Sequence, residues 1–159
     1  MTVEEIVGSL LREKGMTIAL AESCTGGLTA KRVTDVAGAS DYFGMGFVTY
    51  GNIAKERFLA VPENMLATRG AVSREVAGAM AEGVRIAAGA DIGVSITGIA
   101  GPGGGSPAKP VGTVYIGVSM KDGLVVRKYL FHGDRAAIRE ATSEEALTLT
   151  FRCLNGEIV

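Results

Sequence analysis

Residues 17–27 read TIALAESCTGG, and this stretch decides the architecture. Thr17 to Ala21 is a short apolar run of the length of a buried strand. Glu22, Ser23, Cys24 and Thr25 lead into the pair Gly26-Gly27, where the chain can turn tightly. A helical stretch then carries Leu28, Val33 and Val36 as far as Gly38. Strand, tight turn and helix in succession are the repeating unit of α/β folds.

The same grammar continues on both sides. Upstream, Thr2 with Glu5 fits a capping box for a helix that shows Val3, Ile6 and Leu10 on one face and stops at Gly15. Downstream, 43–50 (FGMGFVTY) is a strand candidate whose glycines at 44 and 46 share one face, a pattern of close packing. Asn52 is placed to cap a short helix through Lys55 and Phe58. Pro62 opens another at its first turn, ending near Gly70. Ser73 caps a longer helix with Val76, Met80 and Val84, closed by Gly89. Asp91 to Ala100 reads as a central strand. Val111 to Ser119 and Leu124 to Phe131 flank Lys121-Asp122-Gly123, a hairpin signal. Asp134 caps a last helix with Ile138, Leu147, Leu149 and Leu154. The order predicts a three-layer α/β/α fold with a mixed, mostly parallel sheet and a C-terminal hairpin. With no repeat and no linker, residues 1–159 read as one domain.

Composition narrows the partners. The 159 residues carry a net charge of -1 with no basic run, which argues against nucleic acid. No apolar run reaches a membrane span, and the acidic start MTVEEIV is not a signal peptide, so a cytoplasmic chain is expected. Cys24 and Cys153 are too few for a disulfide framework, and one histidine with two cysteines gives no metal site. Glycine is in excess at 23 residues, more than the ~7% of ordinary chains would supply. Six of them (98, 101, 103, 104, 105, 112) share one short stretch with Pro102, Pro107 and Pro110.

Four places could carry chemistry. Ser23, Cys24 and Thr25 follow a buried strand and open a helix, so they are nucleophile candidates or helix caps. Lys55 sits near a helix start, where a lysine is ordinarily solvated; that end disfavours cations, which is a mild pointer to function. The run 95–105 (SITGIAGPGGG) takes a strand into a loop whose amides could face an anion, yet it lacks the spacing of a dinucleotide fingerprint or a P-loop. Ser106-Pro107-Ala108-Lys109 matches an S-x-x-K string only by coincidence, because prolines exclude the helical turn that motif needs. Residues 93–97 (GVSIT) miss a nucleophile elbow at the last position. His132, at a strand end, reads as structural or as a cap. A hydrolase built here would activate Ser or Cys with a lysine base.

The segments AESCTGG (21–27), GFVTYGNIAK (46–55), GAVS (70–73) and SITGIAGPGGGSPAKPVGTV (95–114) resemble, in order, the C-terminal domain of CinA, the competence/damage-inducible protein family. The resemblance implies an α/β/α domain whose stand-alone members hydrolyse nicotinamide mononucleotide to nicotinate mononucleotide and ammonia, with no cofactor. It implies Ser23 and Lys55 as the catalytic pair and Tyr50 as an assisting residue. The family's usual Tyr-Ser-Asn is here Tyr50-Gly51-Asn52, which leaves Tyr50 and Lys55 in register. The N-terminal domain of full-length CinA is not expected in this chain.

Under this reading Ser23 attacks the carboxamide and neutral Lys55 takes its proton, with Cys24 as the rival nucleophile. Backbone amides at Thr25, Gly26 and Gly27, or at Thr97 and Gly98, would hold the oxyanion. Asn52 and Gly101 complete the expected substrate-binding set, and Arg135 or Lys109 could assist a phosphate. A non-catalytic nucleotide-binding or interaction domain is the alternative. The thiol-sensor reading of Cys24 lacks a second nearby cysteine. The small-residue helix 76–90 leaves a homo-oligomer open, with packing on the sheet the plainer use.

Overall fold

The computed structural model describes residues 1–157. Its elements run α1 (Val3–Lys14), β1 (Ile18–Glu22), α2 (Leu28–Thr34), a 3-10 turn (Ala39–Asp41), β2 (Phe43–Val48), α3 (Asn52–Leu59), α4 (Glu63–Arg69), α5 (Arg74–Ala88), β3 (Ile92–Gly98), β4 (Thr113–Met120), β5 (Gly123–Leu130) and α6 (Arg135–Leu154). The sheet order is β2-β1-β3-β4-β5. β1 is parallel to both β2 and β3, and β4 and β5 run antiparallel as the hairpin. The expected α/β sandwich is what forms.

Strand alternation gives the sheet two unlike faces. Ile18, Leu20, Ile92, Val94 and Ile96 face a bulky core completed by Leu11 of α1 and Ile138, Leu147 and Leu149 of α6. The opposite positions are small: Ala19, Ala21, Gly93 and Ser95 face α5, and Thr97 faces the segment just before it. A side chain at Gly93 would strike the Ala81 carbonyl, and one at Gly117 would lie 2.9 Å from the Ala77 carbonyl. Ser95 fits because its hydroxyl donates to the Ala77 carbonyl at 2.6 Å. Gly93 and Gly117, with Ala77 and Ala81 opposite them, thus allow one close helix–sheet approach.

Local signals hold in part. The Thr2–Glu5 capping box, the Ser73 cap of α5 and the Asp134 cap of α6 all form. Asn52 is not a cap: Gly51 occupies that position without a side-chain bond, and Asn52 is the exposed first residue of α3. Pro62 stands one position outside its helix rather than in its first turn. Strands 43–50 and 91–100 end early, at Val48 and Gly98, because the chain leaves the sheet to build loops. The hairpin turns on Lys121-Asp122, with Gly123 already paired to Met120. Gly44 and Gly46 do not share a packed face. The β1 register jumps from Ile18↔Phe43 to Ala19↔Met45, so Gly44 is the extra residue of a bulge with open space around it. Only Gly46 is crowded, with the Phe43 ring 3.1 Å from where a Cβ would stand. His132 is exposed and caps nothing; α6 uses Asp134.

Candidate active site

The carboxyl ends of β1, β2 and β3 open onto one cavity of about 210 Å3. Ser23 and Cys24 leave β1, Thr97 and Gly98 close β3, and Lys55 enters from α3. Ala71, Val72 and Ala100 supply apolar wall, and Tyr50 and Arg135 lie toward the mouth.

Lys55 is the largest of the fully buried side chains, at 1% exposure. Its Nζ lies 2.8 Å from the Thr49 carbonyl, 3.3 Å from the Tyr50 carbonyl and 3.2 Å from Ser23 Oγ. A neutral amine has two donors and one lone pair. The two carbonyls take the two donors, and the lone pair is left for the Ser23 hydroxyl, which then donates to Nζ. Burial lowers the Lys55 pKa from its ordinary value, because the ammonium loses hydration and no carboxylate replaces it. The site therefore sets a serine hydroxyl against an amine whose ammonium form burial disfavours.

Cys24 is disfavoured as the nucleophile. Burial pushes its thiol up to about 11, against the smaller lowering effects of a backbone hydrogen bond and the Arg139 charge. Its sulfur packs beside Gly98, 3.2 Å from where a Cβ would stand. A thiol held protonated reacts slowly.

The turn that presents Ser23 is fixed from two sides. Ser23 N–H donates to the Ile96 carbonyl at 3.0 Å, and Gly26 N–H closes the turn onto the Ser23 carbonyl at 3.0 Å. Gly26 and Gly27 have φ of +57° and +105°, values that favour glycine. Below the turn, the Glu22 carboxylate is 1% exposed and accepts from the Thr25 hydroxyl at 2.6 Å and from the Thr29 and Ala30 amides at 2.9 Å each. From α6, Arg139 donates to the Cys24 and Thr25 carbonyls at 3.1 and 2.8 Å.

The direction of one backbone amide at the cavity follows from strand alternation. Ile99 N–H bonds the Thr113 carbonyl of β4, whereas the Ile96 carbonyl accepts from Ser23 on the β1 side. Even-numbered residues of β3 thus direct their backbone groups toward β1, and the Gly98 N–H faces the space past its end.

The expected residues separate into two groups. Ser23, Lys55, Tyr50, Thr97 and Gly98 come together at the cavity. Tyr50 contributes its carbonyl to Lys55, while its ring is 59% exposed and its hydroxyl accepts from Arg135 at 3.1 Å. Thr97 is buried and donates to the Ala71 carbonyl at 2.8 Å, hanging the 70–73 wall on β3. Thr25, Gly26, Gly27, Asn52 and Gly101 do not line the cavity. Thr25 is fully buried on Glu22, and the Gly26 amide is spent inside the turn. Gly101 offers its carbonyl to Arg135 at 2.7 Å. Lys109 reaches the Arg69 carbonyl at 2.9 Å and stays outside the lining; Arg135, the other cation named from sequence, is at the mouth. Glu22 and Arg139 were missed. The one legible hint was an acid closing an apolar strand directly before a helix start.

Among the described residues no cluster of His, Cys, Asp and Glu has the make-up of a metal site, and no helix is long and apolar enough to cross a membrane.

Known proteins match nearly the whole chain. Residues 1–154 match the family model described as the CinA C-terminal domain. The chain is 59% identical to the CinA-like protein of Geobacter sulfurreducens over 92% of its own length and 35% of that relative. It is 54% identical to a putative competence-damage inducible protein of Moorella thermoacetica, over 98% of the chain and 38% of the relative. The chain thus spans little more than a third of the length of these relatives. Among solved structures, a competence/damage inducible protein from Agrobacterium tumefaciens superposes with a TM-score of 0.90 at 40% identity, covering 96% of this chain and 95% of that one. A competence-damaged protein (CinA) superfamily member from Klebsiella pneumoniae gives a TM-score of 0.92 at 30% identity, covering 98% and 99%.

Proposed function

Because the chain belongs to the CinA C-terminal domain family, and its buried Lys55 amine meets the Ser23 hydroxyl, we propose that it is an amidohydrolase. The proposed reaction converts nicotinamide mononucleotide and water to nicotinate mononucleotide and ammonia. The observation that carries this reading is the 3.2 Å Ser23–Lys55 contact in a site where burial disfavours the ammonium. The small, partly apolar cavity suits a flat pyridine carboxamide, with the ribose phosphate left outside near Arg135.

In the proposed mechanism Ser23 Oγ attacks the carboxamide carbon while its proton passes to Lys55 Nζ. The tetrahedral oxyanion is held by the Gly98 N–H. Lys55, now an ammonium, returns the proton to the departing nitrogen, and ammonia leaves. Water then attacks the acyl-enzyme, giving its proton to Lys55, which passes it to Ser23 as the ester bond breaks. The Thr49 and Tyr50 carbonyls stabilise the ammonium form for as long as it exists.

Ammonia release from nicotinamide mononucleotide by the purified chain, run beside Ser23→Ala, tests the proposal. The expected result is turnover in the first and a loss of about a thousandfold or more in the second. Undiminished turnover in Ser23→Ala would sink the serine mechanism. Binding of the nucleotide without any ammonia would make the domain a non-catalytic nucleotide binder.

A further inference from the structure

Glu22 is a buried carboxylate that the proposed chemistry leaves unused. Among the described residues no lysine or arginine forms an ion pair with it. A charge with 1% exposure needs other compensation, and three donors converge on it: the Thr25 hydroxyl and the Thr29 and Ala30 amides. All three lie beyond Ser23 in sequence, so the carboxylate ties the end of β1 to the first turn of α2 across the nucleophile.

Alternation at the end of β1 sends neighbouring side chains to opposite faces. Glu22 goes down toward α2, and Ser23 goes up toward Lys55. Rotation of the 22–25 backbone would break the bonds below and move Ser23 Oγ away from Nζ above. We propose that Glu22 is the positioning residue of the nucleophile, holding the 22–30 turn so that Ser23 Oγ stays within reach of Lys55. This inference rests on the amidohydrolase reading for its kinetic measure, and it has a second measure that needs no substrate.

The first experiment compares Glu22→Gln with the parent chain. A glutamine has one acceptor oxygen and a donor NH2, so either the Ala30 amide or the Thr25–Thr29 pair loses its acceptor. The expected result is a kcat lowered by about 30-fold with KM within about threefold, since a misplaced nucleophile costs rate more than ground-state binding. A folded Glu22→Gln with unchanged kcat, or with only a raised KM, overturns the proposal. If Glu22→Gln does not fold, the pair Thr25→Val and Thr25→Ser carries the test. The valine removes one bond to Glu22 and lowers kcat by about fivefold, and the serine, which keeps the hydroxyl, restores it. Equal rates in the two variants overturn it as well.

The second measure is labelling of Ser23 by a fluorophosphonate, followed by intact mass. Labelling slowed about tenfold or more in Glu22→Gln supports the positioning role whether or not ammonia is released. Equal labelling rates overturn it. A parent chain that labels at Ser23 but releases no ammonia defeats the substrate assignment alone. A parent chain that does not label defeats the nucleophile and the positioning role together.

Discussion

Two glycine-bearing turns follow neighbouring strands, yet they are built on opposite principles. The turn after β1 is anchored through its backbone and through Glu22 and Arg139, and its glycines serve that anchoring. The loop after β3 holds more glycine and proline, but most of it is exposed and lies outside the cavity. Only Gly98 and Ala100, at its root, touch the site. Residue type alone marks both segments as ligand cradles. What distinguishes them is where the hydrogen bonds of the turn go: onto the residues flanking Ser23 in the first case, and back onto the loop and its root in the second.

The largest effect that would sharpen this contrast is at Lys55, the base facing the anchored turn. Lys55→Arg keeps donors near the Thr49 and Tyr50 carbonyls but cannot give up its proton at working pH. Turnover should fall by about a thousandfold or more, as far as in Ser23→Ala. Activity in Lys55→Arg within tenfold of the parent would remove the lysine from the chemistry.

The pH dependence of the parent chain follows from the same residue. In the proposed mechanism the active form has neutral Lys55, so kcat/KM should rise with pH and level off above the Lys55 pKa. Burial lowers that pKa, so the midpoint lies below the ~10.4 of free lysine. The linked stability has the same sign. The fold disfavours the ammonium, so Lys55 costs stability below its folded pKa, and the cost fades as pH rises toward the unfolded value. A pH–rate profile with no limb in this direction would break the link between burial and base.

Gly98 tests the root of the second loop. A Cβ there would lie 2.6 Å from Val114 Cγ2, 3.0 Å from the Thr113 carbonyl and 3.2 Å from Cys24 Sγ. The carbonyl is backbone and cannot yield like a flexible side chain, so Gly98→Ala must shift the β3 end that presents the proposed oxyanion donor. A loss of about 10- to 100-fold in kcat is expected. Arg135 comes next. It lies at the mouth, tied to the Gly101 carbonyl and the Tyr50 hydroxyl, and its charge suits the phosphate of the proposed substrate. Arg135→Ala should raise KM about tenfold and leave kcat closer to the parent. A fall in kcat alone would assign the residue to the chemistry instead.

The unequal legibility of these regions has physical reasons. The αβ order, the caps at Thr2, Ser73 and Asp134, and the hairpin are local, so spacing reveals them. The bulge at Gly44 is a register event between two strands and leaves no local mark. At the site, Ser23, Tyr50 and Lys55 stood out through the family resemblance, and Thr97 and Gly98 because the run 95–105 takes a strand into a glycine-rich loop. Thr25, Asn52 and Gly101 lie outside the cavity lining, because nearness in sequence to Ser23 or Lys55 does not say which way a group faces. Thr25 turns inward to Glu22, Asn52 outward to solvent, and Gly101 gives its carbonyl to Arg135. Glu22 was missed because a lone acid ending an apolar strand looks like the start of a polar loop until its three donors are in place.

The smallest expected effect bears most directly on the comparison. At Gly103 nothing lies within 4 Å of a built Cβ, and φ is outside the left-handed region. Gly103→Ala should therefore change kcat and KM by less than about twofold, and a slightly stiffer unfolded chain should leave the Tm unchanged or raised a little. An alanine at Gly104 is different in kind, because its φ of +89° strains any L side chain whatever the space. If Gly103→Ala nevertheless lost activity as Gly98→Ala does, the exposed half of the loop would have to close over substrate, and openness in the free chain would be a poor guide to its use. If it behaves as expected, the glycines beyond Ala100 shape a surface turn, and the chemistry stops at the root of the loop.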